Sequence, residues 1–154
     1  MMNRSSKFCV LLLLFGVFAG AQAKEPRRDV VGIRINMSRE DTHRRLQKIG
    51  RMEREERGRQ EVWTLEKEPH FASVLIGYDK EFKVRYITAI AREGGTRTLY
   101  TDVANLKSAY AENAPGHFKY TWEVKARGKS PAYFVILMGR DPQYLTSLSM
   151  KKKP

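Results

Sequence analysis

Residues 63–90, WTLEKEPHFASVLIGYDKEFKVRYITAI, decide the fold because a second stretch repeats their order of features. Trp63 is followed by the apolar run Val74-Leu75-Ile76-Gly77, the polar Tyr78-Asp79-Lys80 and then Tyr86-Ile87-Thr88-Ala89-Ile90. Trp122 is followed by Phe134-Val135-Ile136-Leu137-Met138-Gly139, Arg140-Asp141-Pro142 and Tyr144-Leu145-Thr146-Ser147-Leu148. The tryptophans are 59 residues apart and the two tyrosines 58, so a one-residue gap in a turn aligns the copies. Self-similarity at such a period implies two copies of one supersecondary unit.

Within the first copy, Trp63 and Leu65 alternate with Val62 and Thr64, and Phe82, Val84 and Tyr86 alternate with Lys83 and Arg85. Period-two alternation predicts strands with an apolar and a polar face. Phe71 to Tyr78 supplies the strand between them, and Pro69-His70 and Asp79-Lys80-Glu81 supply the turns. Upstream, Ser38 with Asp41 three residues later forms a capping-box-like helix start, followed by Leu46, Ile49 and Met52 as a narrow apolar stripe, with Gly50 as its stop. The charged run Arg51 to Arg59 reads as a solvated connection.

Downstream, Glu93-Gly94-Gly95-Thr96 marks a boundary, and Val103, Leu106 and Tyr110 fall on one helical face behind Asp102 as N-cap. Tyr120 to Val124, Ala132 to Met138 and Tyr144 to Met150 read as strands, Ala132 to Met138 as the most buried, and Lys151 to Pro154 as an exposed basic tail. The expected fold is therefore two-layer α+β. Two helix-plus-antiparallel-meander units, 24–93 and 94–154, place their helices on one face of the sheet.

Residues 1–23 have the pattern of a secretory signal: Arg4 and Lys7, an apolar core from Val10 to Ala19, and Ala21-Gln22-Ala23 as cleavage site. The apolar run is shorter than the roughly 20 residues that span a bilayer. The expected location is periplasmic or secreted, with no transmembrane segment after cleavage. Residues 24–154 hold 27 basic and 17 acidic residues, a balance of +10, and no cysteine, since Cys9 is the only one. That charge favours anionic partners, and export disfavours nucleic acid among them.

The run Gly32-Ile33-Arg34-Ile35-Asn36-Met37-Ser38-Arg39-Glu40-Asp41, with Leu46, Ile49-Gly50, Trp63 and Tyr78-Asp79-Lys80-Glu81-Phe82-Lys83-Val84, resembles the helix-entry and aspartate-turn pattern of the SmpA/OmlA small outer-membrane assembly proteins. The wider group is the β-lactamase-inhibitor-protein-like fold. The resemblance covers about 60 residues, and it implies a binding protein that lacks catalysis. The chain departs from it twice. No cysteine stands at the cleavage site for a lipid anchor, and Asn36 replaces the second glycine, as the side chain that next best tolerates a left-handed backbone.

No nucleophile elbow, glycine-rich phosphate cradle or HExxH motif occurs, and His43, His70 and His117 lie far apart in sequence. No catalytic residue, metal ligand or cofactor is expected. Trp63 and Trp122 have two readings, as core anchors or as hot spots on an open sheet face. Lys83, Arg85, Lys125 and Arg127 would form a basic stripe on that same face. The function these residues suggest is an exported binding module, an envelope-assembly accessory or inhibitor-like protein that recognises an envelope or extracellular protein. The alternative is a binder of anionic envelope polymer, lipid headgroups or lipopolysaccharide through the basic face.

Overall fold

The computed structural model describes residues 25–154, so the signal expected at 1–23 and Lys24 lie outside the described residues. Val30 and Ile33 close a two-residue turn through paired backbone bonds of 2.9 and 2.8 Å. Both turn residues are left-handed, Val31 at φ 48° and Gly32 at φ 80°. Asn36 also adopts a positive φ of 69°, the conformation its amide side chain tolerates. The chain then enters helix α1, Arg39–Leu46. Ser38 caps it by accepting from the Asp41 amide at 3.1 Å, while its hydroxyl donates to Asp41 Oδ2 at 2.8 Å.

Eight strands follow: β1 Gly50–Glu56, β2 Gln60–Leu65, β3 Phe71–Tyr78, β4 Val84–Ala91, β5 Tyr110–Ala114, β6 His117–Val124, β7 Tyr133–Gly139 and β8 Ser147–Lys152. They form one antiparallel sheet in the order β1-β2-β3-β4-β8-β7-β6-β5. The strands from 24–93 and those from 94–154 meet at its centre, where Tyr86 to Ile90 of β4 pair with Ser147 to Lys151 of β8.

The expected pair of helix-plus-meander repeats is overturned by this arrangement: the described residues form mostly an eight-stranded sheet, with one helix of more than a single turn among them. Between β4 and β5 the predicted second helix shrinks to α2, Tyr100–Val103. Ala104 is already extended, and a three-residue 3-10 turn follows at Leu106–Ser108. The cause is local. Asn105 accepts from the Lys107 amide at 3.1 Å and Ser108 donates to the Asn105 carbonyl at 2.9 Å, side-chain bonds that compete with helix. The apolar spacing that suggested a helix is split accordingly: Val103 is buried, whereas Tyr110 lies on β5 and is 69% exposed.

Two further readings change. Gly50 is a strand residue where β1 passes so close to β2 that an added Cβ would collide with the Thr64 carbonyl. The charged run after it is an edge strand, which buries little and is protected by its charges. At the other end, Lys151 and Lys152 belong to β8, and Lys153 donates its amide to the Ala132 carbonyl at 2.9 Å. The basic tail is thus largely part of the sheet. β7 alternates between buried and half-buried positions; β4 and β8 are the central strands.

One sheet face packs the core. Across it runs the row Trp63, Val74, Ala89, Leu148, Leu137 and Tyr120, in register from β2 to β6. The adjacent row reads Glu61, Ile76, Ile87, Met150, Val135 and Trp122. Leu46 of α1, Val103 of α2 and Val30 and Ile33 of the entry turn complete this core. Each fully buried aliphatic side chain contributes about 1.5–3 kcal/mol.

Candidate binding site

Glu61 is the single charged member of those inner rows and has no exposed surface. Its carboxylate is saturated with donors. Arg39 Nε and His43 Nε2, from α1, each lie 2.7 Å from Oε1. Trp63 Nε1 and Tyr78 OH lie 3.0 Å from Oε2. Arg39 also pairs with Glu55 of β1 at 2.9 Å and its guanidinium lies 5.6 Å from the centre of the Tyr78 ring. Burial pushes the Glu61 carboxyl up, but hydrogen bonds from Trp63 and His43, the His43 charge and the Tyr78 bond outweigh it and hold the group below its ordinary value. Burial, with the Glu61 charge and hydrogen bond, pushes the Tyr78 phenol up. Every lone pair that faces the cluster is used, and the carboxylate has no open side for a substrate. Its chemistry is to dock α1 and the β1 edge onto the sheet.

Sequence reasoning passed over this cluster. The signal was present: period-two alternation that turns Trp63 and Leu65 inward turns Glu61 inward as well, and an inward carboxylate requires donors.

The tryptophans resolve to the core. Trp63 is 1% and Trp122 5% exposed, so of their two readings the core anchor holds, and their candidacy as partner-binding hot spots on the open face is corrected. They are inward because each sits in register with apolar core residues, Trp63 opposite Val74 and Trp122 opposite Val135. Trp122 Nε1 is satisfied by the Asn105 carbonyl at 3.2 Å and Ser108 Oγ at 3.1 Å.

The four basic candidates do not form one stripe. Lys83 is half-buried just before β4, bridging Ser38, and Arg85 is exposed with its guanidinium 5.4 Å from the centre of the Tyr86 ring. Lys125 and Arg127 are exposed after β6, where they line a groove of about 440 Å³ together with Arg28, Arg34, Ile35 and Tyr133.

The uncovered sheet face has a different character. From the β1 edge to the β5 edge one row reads Arg51, Thr64, Ser73, Ile90, Ser147, Met138, Lys119 and Glu112. The next reads Arg54, Val62, Leu75, Thr88, Ser149, Ile136, Thr121 and Tyr110. From β2 to β7 neither row carries a charge. Ile90 is 46% and Met138 38% exposed, and they flank Ser147 at the middle of the sheet. Gly77 makes room on this face for the ring of Tyr86, whose hydroxyl bonds Gln60. Hydroxyl side chains and a few exposed apolar groups form a neutral two-row surface, bordered by Lys119 on β6 and, in the adjoining row of Tyr86, by the exposed Lys151 at the centre of the sheet.

The three histidines stay apart. His43 belongs to the Glu61 cluster, His70 Nδ1 lies 3.1 Å from Thr98 Oγ1, and His117 is exposed at the start of β6. Among the described residues, no group of three or more His, Cys, Asp or Glu gathers as a metal site, and no helix is long and apolar enough to cross a membrane. Compared with known families, curated proteins and solved structures, the chain matches none.

Proposed function

We propose that this is an exported, non-enzymatic binding module whose uncovered sheet face receives a protein partner. One observation carries the reading: two rows of Ser, Thr, Val, Leu, Ile and Met, without a charge from β2 to β7, cross the centre of the sheet, with Ile90 and Met138 exposed on either side of Ser147. Apolar side chains among hydroxyls and tyrosines suit a protein surface that brings both contact area and hydrogen bonds, as in antibody paratopes. Contiguous exposed apolar groups inside a polar rim mark interaction sites. The complementary partner is a protruding segment with apolar side chains and little net charge at its tip. The resemblance of residues 32–84 to SmpA/OmlA proteins and the leader pattern at 1–23 make the cell envelope the compartment in which to seek it.

The test is capture from an envelope extract by the wild type, by the double variant Ile90→Glu/Met138→Glu and by Arg34→Ala. Wild type and Arg34→Ala should retain the same one-to-one complex, and the double variant should lose it while melting at an unchanged temperature. A complex that persists in the folded double variant overturns the reading.

A further inference from the structure

A second surface lies away from the sheet's open face, where the entry segment meets α1 and the β6–β7 connection. The groove of about 440 Å³ beside Lys125 and Arg127 has a neighbour of about 570 Å³ beside Arg45 and Lys48, and Arg34 lines both. Arg34, Arg45, Lys48, Lys125 and Arg127 make no ion pair with any carboxylate among the described residues. The carboxylates that line the grooves are each paired, Glu25 with Arg28 at 2.9 Å and Asp41 with Arg44 at 3.0 Å within their own grooves and Glu123 with Lys153 at 2.6 Å.

The backbone is shaped to present these cations. The tight turn at Val31-Gly32 folds the chain back so that Arg34 stands between the grooves, and it holds Val31 at a positive φ that a β-branched residue rarely adopts. Strain of this kind concentrates at functional sites. Gly32 also leaves space for Arg45, since an added Cβ would stand 3.2 Å from Arg45 Nη1. Beneath the charges the floor is apolar or aromatic, with Ile35, Val124 and Tyr133 in one groove and Val31, Met37 and Ile49 in the other.

We propose that the two grooves joined at Arg34 bind a bisphosphorylated sugar, free or as a lipid headgroup, with one phosphate beside Lys125 and Arg127 and the other beside Arg45 and Lys48. Guanidinium forks match phosphate oxygens in pairs, and three of the five cations are arginines. Two separate cation clusters call for two anionic groups, and the apolar side chains lining each groove suit the sugar carbons next to each phosphate. Both volumes fall in the range of small-molecule sites. The proposal is independent of the sheet-face reading, because Arg34 and its neighbours are absent from that face.

Calorimetric titration with fructose bisphosphate, fructose monophosphate and inorganic phosphate tests it on the wild type, Arg34→Ala and Lys107→Ala. The last removes an exposed cation outside both grooves. Fructose bisphosphate should bind about tenfold more tightly than the monophosphate, and Arg34→Ala should weaken it by about tenfold, the cost of one charge-assisted contact. Lys107→Ala should bind as the wild type does. Equal affinity for all three probes, or equal loss in the two variants, overturns the site. Sedimentation with phosphatidylcholine vesicles doped with phosphatidic acid separates the sources. Arg34-dependent vesicle binding that fructose bisphosphate displaces assigns a lipid headgroup, and binding of soluble probes alone assigns a free sugar. Vesicle binding indifferent to Arg34 and to the competitor counts against the groove.

Discussion

Replacing Glu61 by Gln should cost about 3 kcal/mol of stability, although the side chain keeps its size. The carboxylate receives Arg39 and His43 on one oxygen and Trp63 and Tyr78 on the other. His43 Nε2 also lies 2.9 Å from Oε2 and the Tyr78 hydroxyl can turn to accept, but an amide has one carbonyl, so its NH₂ must face Arg39 Nε or Trp63 Nε1, which only donate, and the carboxylate charge opposite Arg39 is lost. Each buried donor left unpaired costs about 1–3 kcal/mol. Breaking a buried ionic network costs about 3–5 kcal/mol. The lower end applies because Arg39 and His43 side chains are each 25% exposed and can regain water. Urea denaturation of both proteins at neutral pH gives the difference directly.

The pH dependence supplies an internal check. Glu61 is held below its ordinary value of 4.5, so the folded chain takes up this proton at a lower pH than the unfolded chain does. The network's contribution is therefore complete above the ordinary glutamate range and is lost as pH falls through the depressed folded value. The stability gap between wild type and Glu61→Gln should narrow over that acid range. A gap below about 1 kcal/mol at neutral pH, the level of an exposed ion pair, would refute the reasoning.

Trp122→Phe should cost about 1–2 kcal/mol, measured by the same denaturation, mainly through the buried volume that the smaller ring leaves, since the Asn105 carbonyl keeps its bond from Ser108 when the Trp122 donor goes. Gly139→Ala should be more damaging, by about 3 kcal/mol, because its Cβ would meet the Tyr100 hydroxyl and stand 2.5 Å from the Tyr144 carbonyl oxygen; a thermal melt unchanged by the substitution would contradict the packing. Tyr100 is pushed up to about 12 by burial, then by the Asp141 charge and Tyr120. Its raised value means a contribution to stability that is full below the ordinary tyrosine range and lost as pH climbs through about 12, so Tyr100→Phe should remove a late step from the phenolate absorbance titration.

The quoted stretch shows which elements announce themselves in sequence. Phe71–Tyr78 forms β3 and Ser38 caps α1, because a long apolar run and a cap residue are local signals. The edge strands are silent. β1, Gly50–Glu56, is charged and β5, Tyr110–Ala114, is exposed throughout, so neither carries the alternation that burial imposes. The second helix misled for the opposite reason: Val103, Leu106 and Tyr110 have helical spacing, but Asn105 and Ser108 unwind the segment through their own backbone bonds. The charges misled through topology. Lys125 and Arg127 stand by the entry segment, and Lys151 and Lys152 lie in a central strand, placements that depend on pairings across the whole chain. The open face was hidden because its residues, Thr64, Ser73, Thr88, Ser147 and Ser149, are individually ordinary and become a surface only when the register aligns them.

Thiol footprinting tests the uncovered sheet face as the partner's landing place most directly. Cys9 is the chain's one cysteine, so in a Cys9→Ser background Met138→Cys and Lys107→Cys each introduce a single reporter. Maleimide labelling of each variant is then timed alone and with the captured partner at saturation. Labelling at position 138 should slow by about tenfold or more in the complex while labelling at 107 stays constant. Equal labelling rates at position 138 with and without the partner would contradict it.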